Sequence, residues 1–198
     1  MLPRTTPKAV RPYTEEQNFD GATFSATSLE KGDYENCTFT NGNFSNADLS
    51  GIHFIDCKFS GCTLSMAKLI QTAFRDVQFK DCKMVGLHFE NCNDFLFATS
   101  FENCVLNLSS FYQLKMKKTT FKNTSLHEVD FTEADVSSSV FDSCDLSKAI
   151  FDNSILEKAD FRTSFNYAIN PQTNKLKKAK FSRDGVEGLL FKYDILIS

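Results

Sequence analysis

Large apolar residues return at every fifth position along this chain. From Phe19 the row runs through Phe24, Leu29, Tyr34, Phe39, Phe44, Leu49, Phe54, Phe59, Leu64, Leu69, Phe74, Phe79, Met84 and Phe89. The phase then slips by two residues, and the row resumes with Leu96, Phe101, Leu106, Phe111, Met116, Phe121, Leu126, Phe131, Val136, Phe141, Leu146, Phe151, Leu156 and Phe161. An amphipathic helix repeats every 3.6 residues and a half-buried strand every two, so neither describes this spacing. Two positions before these central residues stand mostly small ones, such as Ala22, Gly32, Gly42, Ala47, Ala67, Ala134, Ala149 and Ala159. The remaining positions are mainly Ser, Thr, Asn, Asp, Glu and Lys. Each unit of five therefore turns one large and one small residue inward and three outward.

Every fourth centre belongs together. One side then reads Phe19, Phe39, Phe59, Phe79, Phe101, Phe121, Phe141, Phe161, with Phe181 in phase beyond it. The second side reads Phe24, Phe44, Leu64, Met84, Leu106, Leu126, Leu146. Phe is sorted by side, as expected when coils stack and like rings lie on like rings. The residues following the first-side Phe are Lys80, Glu102, Lys122, Asp142 and Arg162, so charge alternates along the axis and unlike charges become neighbours. The expected architecture is an all-β solenoid of four segments per coil and about eight coils. At about 4.8 Å per coil this makes a rod of roughly 40 Å.

The pattern resembles the pentapeptide repeat, written A(D/N)LXX. Ala47-Asp48-Leu49-Ser50-Gly51 and Ala159-Asp160-Phe161-Arg162-Thr163 are close matches, and the resemblance covers roughly residues 17 to 163. It implies a right-handed quadrilateral β-helix with four pentapeptides per coil.

Composition fits a filled rod. There are 21 Phe and no Trp, and Cys37, Cys57, Cys62, Cys82, Cys104 and Cys144 all take the small inward slot, with Cys92 keeping the old phase just before the slip. Free thiols there act as small hydrophobes rather than as disulfides or metal ligands. His53, His88 and His127 flank their centres and point outward on different sides. No cofactor is expected. A filled rod offers no pocket with converging polar groups, so catalysis is not expected either. An ice-binding face would need a repetitive Thr row, and the row Asp20, Thr40, Ser60, Lys80, Glu102 is too charged for one.

The ends depart from the repeat. Residues 1–14 hold three of the four prolines and read as an arm before a rod of residues 15–181. The rod carries an irregularity near 90–96 and a loop over 165–175. Residues 182–198 read as a short helix capped by Ser182, then a strand through Ile195-Leu196-Ile197. Val186, Leu189, Leu190 and Tyr193 form an amphipathic stripe which, with Ile195 and Ile197, is either a cap on the last coil or a homodimer seam. At the irregularity, Phe95, Phe97 and Tyr112 are expected to flank their centres, as a binding patch or as a seal over the bulge.

A formal net charge of −3 argues against a basic nucleic-acid-binding surface, and no stretch is long and apolar enough to cross a membrane or serve as a signal peptide. The cytoplasm is the default location. Sorted by side, the outward charges leave the third side acidic: Glu30, Asp48, Glu90, Asp130, Glu133 and Asp152 against Lys31 and Lys68. That side is either a surface that imitates DNA or a solvated face.

The tail narrows the resemblance. Asn170-Pro171, Asn174-Lys175-Leu176-Lys177-Lys178-Ala179-Lys180-Phe181-Ser182, Gly188-Leu189-Leu190 and Tyr193-Asp194-Ile195 look like the tail of quinolone-resistance (Qnr-type) pentapeptide proteins and related topoisomerase-protecting immunity proteins. This resemblance implies a C-terminal homodimer, shaped and charged like B-form DNA, that docks on DNA gyrase or topoisomerase IV. Many Qnr-type proteins carry sizeable inserted loops implicated in protection. This chain has only two extra residues and is closer to the loop-free members. The alternative is a protein-interaction scaffold with another partner.

Overall fold

The computed structural model describes residues 11–24 and 29–196. Over them the chain winds as a four-sided solenoid of short parallel strands. Seven strands lie on the first side: β2 (Asn18–Asp20), β4 (Thr38–Thr40), β6 (Lys58–Ser60), β8 (Val77–Lys80), β9 (Thr99–Glu102), β10 (Thr120–Lys122) and β11 (Val140–Asp142). Four lie on the fourth side: β1 (Tyr13–Glu15), β3 (Asp33–Glu35), β5 (His53–Ile55) and β7 (Ala73–Arg75). The pairing is β2-β4-β6-β8-β9-β10-β11 and β1-β3-β5-β7. Phe sits opposite Phe at each step of the longer sheet, for example Phe19↔Phe39, Phe59↔Phe79 and Phe101↔Phe121. Strands stay short because a unit of five leaves about three extended residues between corners.

The coil count is lower than the eight expected. Seven strands stacked one coil apart make six turns, and beyond β11 the stack continues only through isolated bridges such as Val140↔Asp160 and Asp160↔Lys180. The rod also starts earlier than residue 15. Tyr13–Glu15 already pairs with β3, because Thr14 lies opposite Tyr34 and the Tyr13 hydroxyl donates to Glu35 at 2.9 Å. Residues 1–10 of the expected arm lie outside the described residues.

Two local rules shape each corner. The residue two after most centres adopts left-handed backbone, as at Asn36, Asn41, Asn46, Gly51, Asp56 and Gly61, which Asn, Asp and Gly tolerate best. At many corners the residue before the centre is Asp or Asn, and its side chain accepts the backbone N–H two residues on. Asp48 does so from Ser50 at 3.0 Å, Asp130 from Thr132 at 2.8 Å and Asp145 from Ser147 at 3.1 Å. The inward slot is equally regular. Thr72, Ser154 and Ser164 donate to carbonyls of the preceding coil (Leu49, Phe131, Phe141) at 2.6–2.8 Å, and Cys57 and Cys62 make the same contact with sulfur.

The core is two columns of stacked rings meeting edge to face. One is the first-side Phe row, with centroids 4.6 Å apart at Phe39–Phe59 and 4.9 Å at Phe121–Phe141. The other changes sides. Below the irregularity it runs up the fourth side as Tyr34, Phe54 and Phe74; above, it runs up the third as Phe89, Phe111, Phe131 and Phe151.

Phe97 is the joint, meeting Phe74 and Phe89 edge-on at 6.4 and 6.3 Å. This corrects the expected phase: Leu96 is 64% exposed in left-handed backbone, and Phe97 is the inward centre. Asn93 still pairs with Ala73, whereas Thr99 pairs with Val77, so the two extra residues fall between Asn93 and Thr99. The Phe97 N–H closes a turn onto the Asp94 carbonyl at 3.3 Å and swings Phe97 inward. The fourth-side sheet ends at β7, at this same place.

The C-terminal end is covered lightly. Phe181 stacks on Phe161 at 5.3 Å, and a single helical turn, α1 (Glu187–Leu190), precedes a 3-10 turn over Phe191–Tyr193. Gly185 and Gly188 lie against Tyr167: a Cβ at Gly188 would come within 2.2 Å of the Tyr167 carbonyl oxygen. Ser182 accepts from the Gly185 N–H at 3.0 Å, one turn ahead of α1, and so caps the preceding turn rather than the helix. The expected final strand does not form over Asp194–Leu196, and Ile197 lies outside the described residues.

Candidate functional site

Over the described residues the interior of the rod is filled by buried side chains, so the surface is what a partner can meet. The third side places Asp48 and Asp130 just before their centres, Glu30, Glu90 and Asp152 just after, and Glu133 at a corner. Only part of this set comes together. Asp130 is bridged to Ile150, and the Glu133 N–H donates to the Asp152 carbonyl at 2.8 Å, so Asp130, Glu133 and Asp152 lie on consecutive coils. Glu30 and Asp48 sit several coils away, with Lys31 3.7 Å from Asp48 and Lys68 bridged to Asp48. Between these groups the coil of Ser110, Tyr112 and Gln113 has no carboxylate on this side.

Local bonds occupy several of these acids. Asp48 is held below the usual carboxylate range, chiefly by the Ser50 hydroxyl and N–H. Glu90 meets His88 Nδ1 at 2.8 Å, and its second oxygen is buried without a partner. Glu133 accepts from Gln113 at 2.8 Å, and Asp152 from Asn153 at 3.1 Å. The Asp residues before the centres are therefore turn-formers first, which is a physical reason for the D/N of the repeat and for part of this side's acidity. The alternating first-side charges give one ion pair, Lys122–Glu102 at 3.2 Å; Arg162 turns instead to Asp160.

The aromatic trio does not form a patch. Phe97 is buried, Phe95 is 63% exposed beneath the Arg75 guanidinium (5.4 Å to the ring centroid), and Tyr112 stands apart on the third side. No ring contact joins Phe95 to Tyr112 among the described residues. The two extra residues sent one aromatic in and one out, which spacing alone could not assign.

The C-terminal stripe is covered only in part by its own last coil. Leu189 packs against the core and Leu190 is half-buried, while Val186 (42%), Tyr193 (52%), Ile195 (54%) and Leu196 (101%) are exposed.

The titratable groups are arranged for structure. All seven cysteines are buried and unpaired, and burial pushes the Cys57 and Cys144 thiols up to about 12. His53 is lowered by burial and by nearby Arg11, and it meets Asp33 at 2.9 Å. Among the described residues no cluster of His, Cys, Asp or Glu could hold a metal ion. A recess of about 590 Å³ opens between the last coil and α1, lined by Ser147, Lys148, Tyr167, Asp184 and Glu187 among others; no His or Cys faces it.

One surface feature lies outside the repeat pattern. Met66 and Leu108 occupy the corner position that elsewhere mostly takes polar residues or Gly, and both are more than half exposed. An apolar residue two after a centre was the signal that could have shown it.

A family model for pentapeptide repeats matches residues 18–54, 57–93 and 124–162, in eight copies. No curated protein sequence matches the chain. Among solved structures, a trypsin-treated form of QnrB1, a plasmid-mediated fluoroquinolone resistance protein, is similar at 18% identity and a TM-score of 0.62, covering 94% of this chain and 100% of that one. A second trypsin-treated QnrB1 variant matches at 17% identity and a TM-score of 0.63, covering 94% and 92%. Full-length QnrB1 matches at 19% and 0.54, covering 93% and 100%. At these identities the likeness is one of fold.

Proposed function

The chain belongs to the pentapeptide-repeat family, and on that premise we propose that it is a non-catalytic rod that imitates DNA and binds a protein partner through its third side. DNA gyrase and topoisomerase IV are the first partners to test. The observation that carries this reading is the grouping of Asp130, Glu133 and Asp152 on consecutive coils of a rigid, filled rod. Basic DNA-binding surfaces read mainly backbone charge, and a fixed column of carboxylates offers them a substitute. The choice of topoisomerases is supported by a fold shared over nearly the whole chain with a fluoroquinolone resistance protein. Direct nucleic-acid binding is not part of this reading, since the third side would repel phosphates.

The exposed Val186, Tyr193, Ile195 and Leu196 support a homodimer joined through the C-terminal ends, which would double the rod's length. Among the described residues no helix is long and apolar enough to cross a membrane, and the cytoplasm is the proposed location.

The reading is tested by adding the purified protein to gyrase supercoiling reactions with and without a fluoroquinolone. Inhibition, or rescue from the drug, is expected, and Asp130→Lys with Glu133→Lys should abolish it while the chain still folds cooperatively, with a melting temperature lowered by the loss of the Asp130–Thr132 turn bond and the Gln113–Glu133 bond. No effect of the folded wild type at tens of micromolar would refute gyrase as the partner.

A second reading has its own observation. Ile70, Tyr112 and Ile150 interrupt the third-side acids, at 58%, 38% and 51% exposure, which suits a scaffold for a partner that is not a DNA-binding protein.

A further inference from the structure

The corner between the second and third sides carries apolar side chains where the backbone favours Asn, Asp or Gly. Met66 and Leu108 hold left-handed backbone at φ 59° and 61°, conformations costly for bulky apolar residues. Neither residue gains burial in return, since they are 57% and 56% exposed. Other coils place Asn46, Glu128 and Lys148 at this same corner position. The fold therefore does not require Met or Leu here.

The residue between them on this corner is Gly86, and Met66 lies over it: a Cβ at Gly86 would meet the Met66 sulfur at 2.5 Å. The bridges Thr63↔Lys83, Lys83↔Val105 and His88↔Ser110 hold these coils in step. Met66 and Leu108 are thus two coils apart, about 10 Å. Just after the next centres stand Ile70 and Tyr112, on the same two coils. The four exposed apolar side chains frame a patch on the third side over three coils, with Lys68 and Ser110 between the members of each pair and Gly86, His88 and Glu90 on the coil between the pairs. Its rim is acidic, with Asp48 toward the N-terminal end, Glu90 beside His88 within it and Asp130 and Glu133 on the next coil; the opposing charges are Lys68, between Met66 and Ile70, and Lys31, 3.7 Å from Asp48.

We propose that this patch docks a basic amphipathic segment of a partner protein. The segment's apolar face would lie on Met66, Ile70, Leu108 and Tyr112, and its Lys or Arg side chains would reach the rim carboxylates. Charge complementarity selects this occupant over an acidic or purely apolar one. The proposal does not depend on which protein supplies the segment, so it stands or falls apart from gyrase.

The test uses the full chain and a short fluorescein-labelled helical peptide of Leu and Lys, followed by anisotropy at physiological salt. A Leu/Glu peptide and a Ser/Lys peptide serve as comparisons, and the variant is Met66→Asn with Leu108→Asn. Wild type should bind the Leu/Lys peptide at least about tenfold more tightly than either comparison, a difference of about 1.4 kcal/mol. The variant should lose that preference while its melting temperature holds or rises, because Asn suits left-handed backbone. Equal binding by variant and wild type would overturn the proposal, as would equal binding of the Ser/Lys peptide. A drop in melting temperature would show that Met66 and Leu108 serve the fold instead. Sedimentation in which the variant dissolves a self-associated wild type would make a second copy of this chain the occupant, against the proposal.

Discussion

Replacing Phe121 by Ala removes a ring from the middle of the first-side stack. Phe121 is fully buried, lies face to face with Phe101 at 5.1 Å and Phe141 at 4.9 Å, and meets Phe111 and Phe131 edge-on at 6.1 and 6.0 Å. Burying a Phe side chain contributes about 1.5–3 kcal/mol, and each well-placed aromatic pair adds about 0.5–1.5 kcal/mol. The rod cannot collapse around the gap, because backbone ladders fix the coil spacing above and below. A loss near the top of the usual range for Phe to Ala is expected, about 4–5 kcal/mol. For a chain of this size that lowers the melting temperature by about 10–15 °C. Far-UV circular dichroism is the readout, in heat and in urea, since the chain has no Trp. Phe165→Ala, at a position 50% exposed, is the control and should cost less than about 1 kcal/mol. A loss below about 1 kcal/mol at Phe121 would mean that the stacked column is not what holds the coils together.

Two further outcomes are expected. One glycine inserted between Thr124 and Ser125 should abolish the cooperative melt by throwing Leu126 and every later centre out of phase, whereas one inserted after the exposed Phe95 only lengthens a turn and should cost about 0.6 kcal/mol or less; equal damage at both sites would contradict the assignment of the two extra residues. The Arg162 guanidinium, 2.7 Å from Asp160, holds that carboxyl at about 2, so its stabilisation is present above pH 4 and lost as the pH falls through 2. Asp160→Asn should flatten the fall in urea-unfolding stability between pH 4 and 2, and an acid slope equal to wild type would show the pair to be idle.

The rod is legible in residue spacing alone. A period of five with one large and one small inward residue admits few solutions, and the sorting of Phe by side made the four-segment coil legible before any coordinates. The inward cysteines followed from the same phase. The switch of the second ring column was also written there, as Tyr34, Phe54 and Phe74 giving way to Phe89, Phe111, Phe131 and Phe151, though its meaning appears only when Phe97 is seen bridging the two.

Tertiary structure alone decided how the two extra residues are absorbed. Phe95, Leu96 and Phe97 are all apolar, and only the pairing of Asn93 with Ala73 and Thr99 with Val77 selects which one turns inward. It also decided what the acids do. A list of carboxylates by side cannot tell Asp130, bonded to the Thr132 N–H of its own turn, from a charge held out for a partner. The same holds at the C-terminal end, where the stripe of Val186, Leu189, Leu190 and Tyr193 reads as one apolar face, yet only Leu189 packs on the core. Periodicity reports which direction a side chain leaves the backbone; whether anything waits there to cover it depends on coils far away in the sequence.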